Sequence, residues 1–161
     1  MAELHRHRRA RAAVGARAER GRRPEDQPEG DGQGSWFNSA LAIDAQGQLA
    51  ASYDKMNLVP FGEYVPLKKY LPFVGKMVEA VGDFSAGPGS FGLDHPKGRV
   101  GVLICFETIF PELSRNLNKE DLDLLVNMTN DAWYGWTSAP YQHLSLLVFR
   151  SVENRVWTAR A

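Results

Sequence analysis

The chain's 161 residues fit one domain that can bury most of the apolar surface exposed on unfolding. Its 19 basic and 19 acidic residues cancel, which excludes a global field favouring nucleic acid or an anionic membrane. A single cysteine, Cys105, excludes an internal disulfide; His5, His7, His95 and His143 show no ligand spacing around it, so no metal site is expected.

The charge balance conceals an asymmetry. Met1 to Arg23 holds eight arginines against Glu3 and Glu19 and almost no large apolar residue, and proline, glycine and acids follow up to Gly34. Residues 1–34 are therefore expected to be a solvated, unordered or non-native segment outside the core. Without interleaved aromatics it does not suggest a nucleic-acid arm. No apolar run approaches the roughly 20 residues that cross a bilayer, and the basic start lacks the apolar stretch of a secretory signal.

Order is expected from about Ser35. "SWFNSALAID" and "LAASYDK" flank a Gln46-Gly47 turn, the pattern of a β-hairpin that delivers Lys55 at its end. "LVPFGEYVP" follows, too interrupted for a long helix and too apolar for a free loop. Leu67 to Val81 is expected as one helix or two, restarted at Pro72. After a glycine-rich connection, Arg99 to Phe106 is a strand apolar enough to be covered on both faces. "PELSRNLN" is a short helix with Pro111 in its first turn, and Leu122 to Met128 is a second buried strand. Ala139 to Arg155 is a helix with an apolar stripe of Leu144, Leu147, Val148 and Val152, and Val156 to Ala159 is a last strand.

Alternating strands and helices with buried apolar runs imply an α/β layered domain, in which chemistry gathers at the carboxyl ends of the strands. Lys55, Cys105 and Thr129 to Asp131 all fall at such ends. A thiol attacks as the thiolate, which needs a base or a neighbouring cation, and Lys55 can supply the cation. The N–H of Phe106 is the natural donor to an oxyanion formed at Cys105, and Glu63 and Glu107 are the nearby acids. Against this stand simpler roles: a core cysteine, an exposed lysine, Glu63 capping a turn, Trp133, Tyr134 and Trp136 as packing residues, and His143 as a hydrogen-bonded structural histidine.

Three segments decide between them. Lys55 with "LVPFGEYVP" (Leu58 to Pro66), "ICFETIFPE" (Ile104 to Glu112) and "NDAWYGWTSAPYQHL" (Asn130 to Leu144) resemble the carbon–nitrogen hydrolase, or nitrilase, superfamily. Their wording is similar to its apolipoprotein N-acyltransferase family, from about Trp36 to Ala161. The resemblance implies a Glu–Lys–Cys triad on a four-layer αββα sandwich, here incomplete, over residues 35–161. By match of motif, Cys105 is the nucleophile, Lys55 the triad lysine, Glu63 a second active-site glutamate and Glu107 the acid after the nucleophile motif. Trp133 and Tyr134 are implied to contact substrate. The implied reaction passes an acyl chain from a phospholipid through a Cys105 thioester to the α-amine of a diacylglyceryl-cysteine lipoprotein. No metal or organic cofactor is implied, and the family's home is the bacterial plasma membrane, with the catalytic domain on the periplasmic face.

The departures from that pattern are specific. Asn57 stands where the family commonly has histidine, and Phe106 stands where it has tyrosine. The triad glutamate belongs to a Trp-Pro-Glu type motif well upstream of the lysine, and no segment matches it; Glu25 lies only 30 positions before Lys55, in loop-like sequence. The family's membrane spans have no counterpart, so membrane association is expected only of a full-length member. Weak or no activity is expected of the chain alone. Two other functions stay open: a soluble nitrilase-type amidase and a non-catalytic remnant.

Overall fold

The structure, a computed structural model, describes residues 11–13, 36–44, 46–64, 66, 84–90, 92–95 and 97–161. The helix expected over residues 67–81 lies outside the described residues. So does residues 1–34 apart from Arg11–Ala13, which form strand β1.

Two sheets make the frame. In the first, β1 pairs antiparallel with β2 (Ser39–Ile43), which pairs antiparallel with β3 (Leu49–Asp54). The β2–β3 hairpin turns where expected, and Gly47 takes the left-handed φ of 81° that a side chain would resist. The second sheet has the order β4 (Leu93–His95), β5 (Gly98–Ile104), β6 (Leu124–Met128), β7 (Trp157–Arg160). β4 is antiparallel to β5, whereas β5, β6 and β7 run parallel. Helix α1 (Pro111–Asn118) links β5 to β6, and helix α2 (Ala139–Asn154) links β6 to β7.

Alternation along β5 separates two cores, because successive side chains point to opposite faces. Val102 and Ile104 pack with Ala40, Tyr53 and Leu93 between the sheets. Leu103 faces the other way and packs with Leu113, Leu117, Leu125 and Val156 under the helices. The strand is thus covered on both sides, as its unbroken apolar run predicts. The described layers are helix, sheet, sheet, in a mixed α/β fold. Among the described residues no helix is long and apolar enough to cross a membrane.

Helix α2 departs from the sequence expectation. Its apolar stripe faces outward: Leu144, Val148 and Val152 are exposed, and of the four only Leu147 is buried. The buried face is His143, Leu147, Arg150 and Asn154, spaced as one helical stripe. Polar residues occupy it because the packed elements offer partners. Asn154 Nδ2 donates to Ser114 Oγ of α1 at 3.1 Å, and His143 Nε2 lies 2.9 Å from the Cys105 carbonyl oxygen, whereas among the described residues Arg150 pairs only within its own helix, with Glu153 at 3.0 Å. Periodicity marks a helix but cannot tell which of two stripes a neighbouring element will satisfy.

Candidate active site

Cys105 does not end a strand as the sequence suggested. β5 stops at Ile104, and Cys105 opens a 3-10 turn (Cys105–Ile109) with φ of 52°. A left-handed non-glycine residue stores roughly 1–3 kcal/mol of strain and persists only where its surroundings impose it. Those surroundings are visible. The Cys105 carbonyl accepts from His143 Nε2 at 2.9 Å, Thr108 Oγ1 at 3.3 Å and Asn127 Nδ2 at 3.4 Å. On the preceding side, Ile104 N–H donates to Glu107 Oε2 at 2.7 Å.

Glu107 is the joint between the two sheets. It is fully buried, and its other oxygen accepts from Tyr53 Oη at 3.0 Å, Met56 N–H at 2.8 Å and Asn57 N–H at 3.1 Å. One carboxylate therefore ties the residue before the cysteine to the two residues after Lys55. Burial pushes its carboxyl above the usual range, opposed by the N–H groups and the Tyr53 hydroxyl that favour the charged form. The same burial, with the Glu107 charge beside it, raises the Tyr53 phenol well above its ordinary value.

Lys55 is not an exposed lysine. It follows β3, is 1% exposed, and its Nζ lies 2.6 Å from Glu63 Oε2. Glu63 fills two roles at once. Oε2 also accepts from Val59 N–H at 2.8 Å, capping its own turn, and Oε1 accepts from Asn38 Nδ2 at 2.7 Å. Asn38 continues the hairpin ladder, since Lys55 N–H donates to its carbonyl at 2.9 Å. The interrupted "LVPFGEYVP" segment is thereby held in place: Glu63 grips it from within, Phe61 N–H donates to the Tyr64 carbonyl at 2.7 Å, and Phe84 N–H donates to the Glu63 carbonyl at 3.0 Å. From the other side Gly87 N–H closes on the Lys55 carbonyl at 2.9 Å. A Cβ at Gly87 would lie 2.2 Å from the Asp54 carbonyl oxygen, so the approach requires glycine.

The segment after β6 supplies the third wall. Tyr134 sits edge-on to His143, with ring centres 6.1 Å apart, and burial followed by the Cys105 and Asp131 charges raises its phenol above the ordinary 10.0. Trp133 and Trp136 do not pack into the core; at 87% and 107% exposure they stand in solvent. The packing role weighed for them is corrected: both follow a strand end, and among the described residues no element covers them. Behind this segment, Asp131 Oδ1 meets His143 Nδ1 at 3.2 Å, and Arg160 bonds both Asp131 Oδ2 and, at 3.1 Å, Asn127 Oδ1. Burial alone would raise the Asp131 carboxyl, but the bonds from Arg160 and His143 bring it below the ordinary carboxylate value.

Sequence reasoning named Lys55, Glu63, Cys105, Glu107, Trp133, Tyr134 and the Phe106 N–H. It placed Asp131 on the same rim, but missed Asn38, Tyr53, Asn127 and Arg160 as members of the surroundings. Asn127 carried a signal, being a polar residue inside an otherwise apolar strand. Among the described residues no three His, Cys, Asp or Glu side chains gather so as to hold a metal ion.

Comparison with known proteins matches the chain to a family. The carbon-nitrogen hydrolase model matches residues 12–161. Over 126 residues the chain is 56% identical to an apolipoprotein N-acyltransferase of Geobacter metallireducens, covering 78% of this chain and 24% of that protein. It is 41% identical over 133 residues to the apolipoprotein N-acyltransferase of Rickettsia prowazekii, covering 81% of this chain and 26% of that protein. The chain thus spans about a quarter of the length of these curated relatives. Among solved structures, Saccharomyces cerevisiae Nit3, a member of branch 10 of the nitrilase superfamily, shares the fold with TM-score 0.58 at 20% identity, over 80% of this chain and 39% of that one. A variant of the amidase from Nesterenkonia sp. AN1, showing covalent addition of the acetamide moiety of fluoroacetamide at its active site cysteine, matches with TM-score 0.55 at 25% identity, over 80% of this chain and 42% of that one. With a family match over almost its whole length and a nitrilase-like framework, the chain belongs to the carbon–nitrogen hydrolase family.

Proposed function

We propose that Cys105 is the nucleophile of a lipoprotein N-acyltransferase site. Its thiolate adds to the ester carbonyl of a phospholipid, the Phe106 N–H donates to the resulting oxyanion, and collapse expels the lysophospholipid alkoxide, which takes up a proton. The α-amine of a diacylglyceryl-cysteine then attacks the thioester; an amide forms and the thiol regains its proton. Lys55 supplies positive charge beside the reacting sulfur and oxygen, and Glu63 holds that ammonium in place. Glu107 positions backbone, both its oxygens accepting from donors on four residues. Trp133 and Tyr134 line the acyl side of the site, a role supported by the exposure of Trp133 and the proximity of Tyr134 to Cys105. The whole enzyme works at the bacterial plasma membrane with this domain on the periplasmic face.

The observation that carries this reading is the Glu107 joint, which fixes the segment after Lys55 against the left-handed Cys105. The names of the relatives supply the substrate class. The test is to incubate the chain with detergent-dispersed phospholipid and follow the Cys105 peptide by mass spectrometry. A low-yield acyl mass increment on Cys105, released by hydroxylamine, is expected, with transfer to a diacylglyceryl peptide slow because no segment matches the upstream triad glutamate. Absence of the adduct refutes the nucleophile role. The likeness to an amidase modified at its cysteine favours a second reading, amide hydrolysis through the same acyl-enzyme, with water as acceptor. Release of free acid from a small amide, with no amine acylated, would select it.

A further inference from the structure

Three side chains from three elements converge on the backbone oxygen behind the nucleophile: His143 of α2, Asn127 of β6 and Thr108 of the 3-10 turn all approach the Cys105 carbonyl. A carbonyl only accepts, so the ring proton in this contact lies on His143 Nε2. His143 is 4% exposed and Asn127 fully buried, and placing such groups in the interior is costly unless they are bonded. Their far atoms are bonded too. Asn127 Oδ1 accepts from Arg160, and His143 Nδ1 lies 3.2 Å from both Asp131 Oδ1 and Arg160 Nη2. Residues of β6, α2 and the 3-10 turn thus converge on one oxygen, with Arg160 of β7 behind two of them.

The peptide that begins with this oxygen ends in the N–H of Phe106, and the two ends are one conjugated amide. Donors on the oxygen draw density from the nitrogen and strengthen the N–H as a donor, because hydrogen bonds in series polarise one another. They also pin the plane along which that N–H points. We infer that His143, supported by Asn127 and Thr108, is a positioning residue that acts through the Cys105–Phe106 peptide, fixing and polarising the Phe106 N–H toward the oxyanion formed on acylation. The inference rests on the proposed role of Cys105. In the step it serves, a sulfur–carbon bond forms while the carbonyl π pair moves to oxygen, where the Phe106 N–H receives it. Collapse restores the carbonyl and expels the leaving group.

A purely structural His143 would disturb every reaction of Cys105 alike, so two reactions are compared in the 161-residue chain. Iodoacetamide alkylates the sulfur by displacing iodide from saturated carbon and creates no oxyanion. p-Nitrophenyl butyrate acylates it through one. Losing an oxyanion donor outright costs about 10²- to 10³-fold, so weakening it should slow acylation by His143→Ala about 10- to 100-fold, with alkylation within about twofold. His143→Gln, whose amide can donate to the same oxygen, should recover most of the loss. The Phe106 amide proton should move upfield in His143→Ala, a readout independent of turnover. Equal losses in both reactions, or no loss in either, overturn the inference. Should His143→Ala fail to fold, Thr108→Val carries the same comparison, with acylation about threefold slower and alkylation unchanged as expected; equal effects again overturn it. A wild-type chain that is alkylated but never acylated refutes the nucleophile reading itself, and this inference falls with it.

Discussion

Glu107→Gln tests the joint between the sheets with the smallest possible change of shape. Glutamine has one acceptor oxygen where glutamate has two, so its orientation decides the cost. With the oxygen kept at the Oε1 position, Tyr53, Met56 and Asn57 retain their bonds, and the new NH₂ faces the Ile104 N–H across what was a 2.7 Å contact. The reverse orientation abandons three donors and is not competitive. One buried N–H left without an acceptor costs about 1–3 kcal/mol. Part is returned, since a neutral amide escapes the burial penalty that raises the Glu107 carboxyl. The net is about 2 kcal/mol, which in a chain of this size lowers the melting temperature by about 4–8 °C. A carboxyl whose folded pKa is raised contributes stability that is complete below its ordinary 4.5 and lost as pH rises through the folded value, so the deficit of the glutamine variant should shrink from pH 4.5 upward. Thermal melts by circular dichroism across that range, with the acylation rate of Cys105 measured alongside, provide the assay. A variant that melts within about 1 °C of the parent at every pH and is acylated at the same rate would refute the joint.

Four further outcomes are expected. Cys105→Ala should abolish the hydroxylamine-labile adduct and Cys105→Ser reduce it severely, because a hydroxyl is far harder to ionise; an adduct of undiminished yield in the alanine variant rules out covalent catalysis here. Glu63→Gln removes the charge opposite a lysine that is 1% exposed and should cost about 3 kcal/mol in urea unfolding, with the Lys55→Met/Glu63→Gln double variant losing less than the sum of the singles. Gly87→Ala should destabilise by about 1–3 kcal/mol and slow acylation, since its Cβ would displace the loop that bonds the Lys55 carbonyl; a neutral result would show that the loop yields freely. Asp131, with a lowered carboxyl, contributes stability that is complete above its ordinary 3.8 and lost as pH falls through the folded value, so Asp131→Asn should flatten the acid limb of the melting curve.

The hairpin, the two parallel strands and both helices could be read from the sequence because each rests on local signals: alternation, unbroken apolar runs, and a turn that needs glycine. The ladder partners were less legible. Nothing local to Asn38 says that its side chain will share Glu63 with Lys55, 17 residues on, because that pairing is made by hairpin register. Glu107 was legible as an acid near Cys105, but its bonds to Tyr53, Met56, Asn57 and Ile104 were not, because they depend on how many donors the fold aims at it. The outward stripe of α2 failed for a related reason. A stripe of valine and leucine predicts burial only if a surface arrives to cover it, and here the arriving surface was Cys105, Ser114 and Asp131, which polar residues satisfy better.

The proposed chemistry is divided between the two sheets, and this places a demand on residues that never touch a substrate. Asn38 and Lys55 flank β2 and β3 of the first sheet, with Glu63 bonded to both, whereas Asn127 and Arg160 lie in β6 and β7 of the second and Cys105 follows its β5. Their separation is therefore set by how the sheets stack. Two features set it: the Glu107 joint at the strand ends and the core of Ala40, Tyr53, Leu93, Val102 and Ile104 beneath it. Tyr53 belongs to both, with its ring in that core and its hydroxyl on Glu107. Close-packed interiors transmit changes of volume to their surroundings instead of absorbing them. A change in core volume at Ala40 or Val102 thus moves the ammonium relative to the sulfur, and a displacement of about 1 Å can cost on the order of 10²-fold in rate. The inter-sheet core is in this sense part of the proposed catalytic geometry, although it presents no functional group to the site.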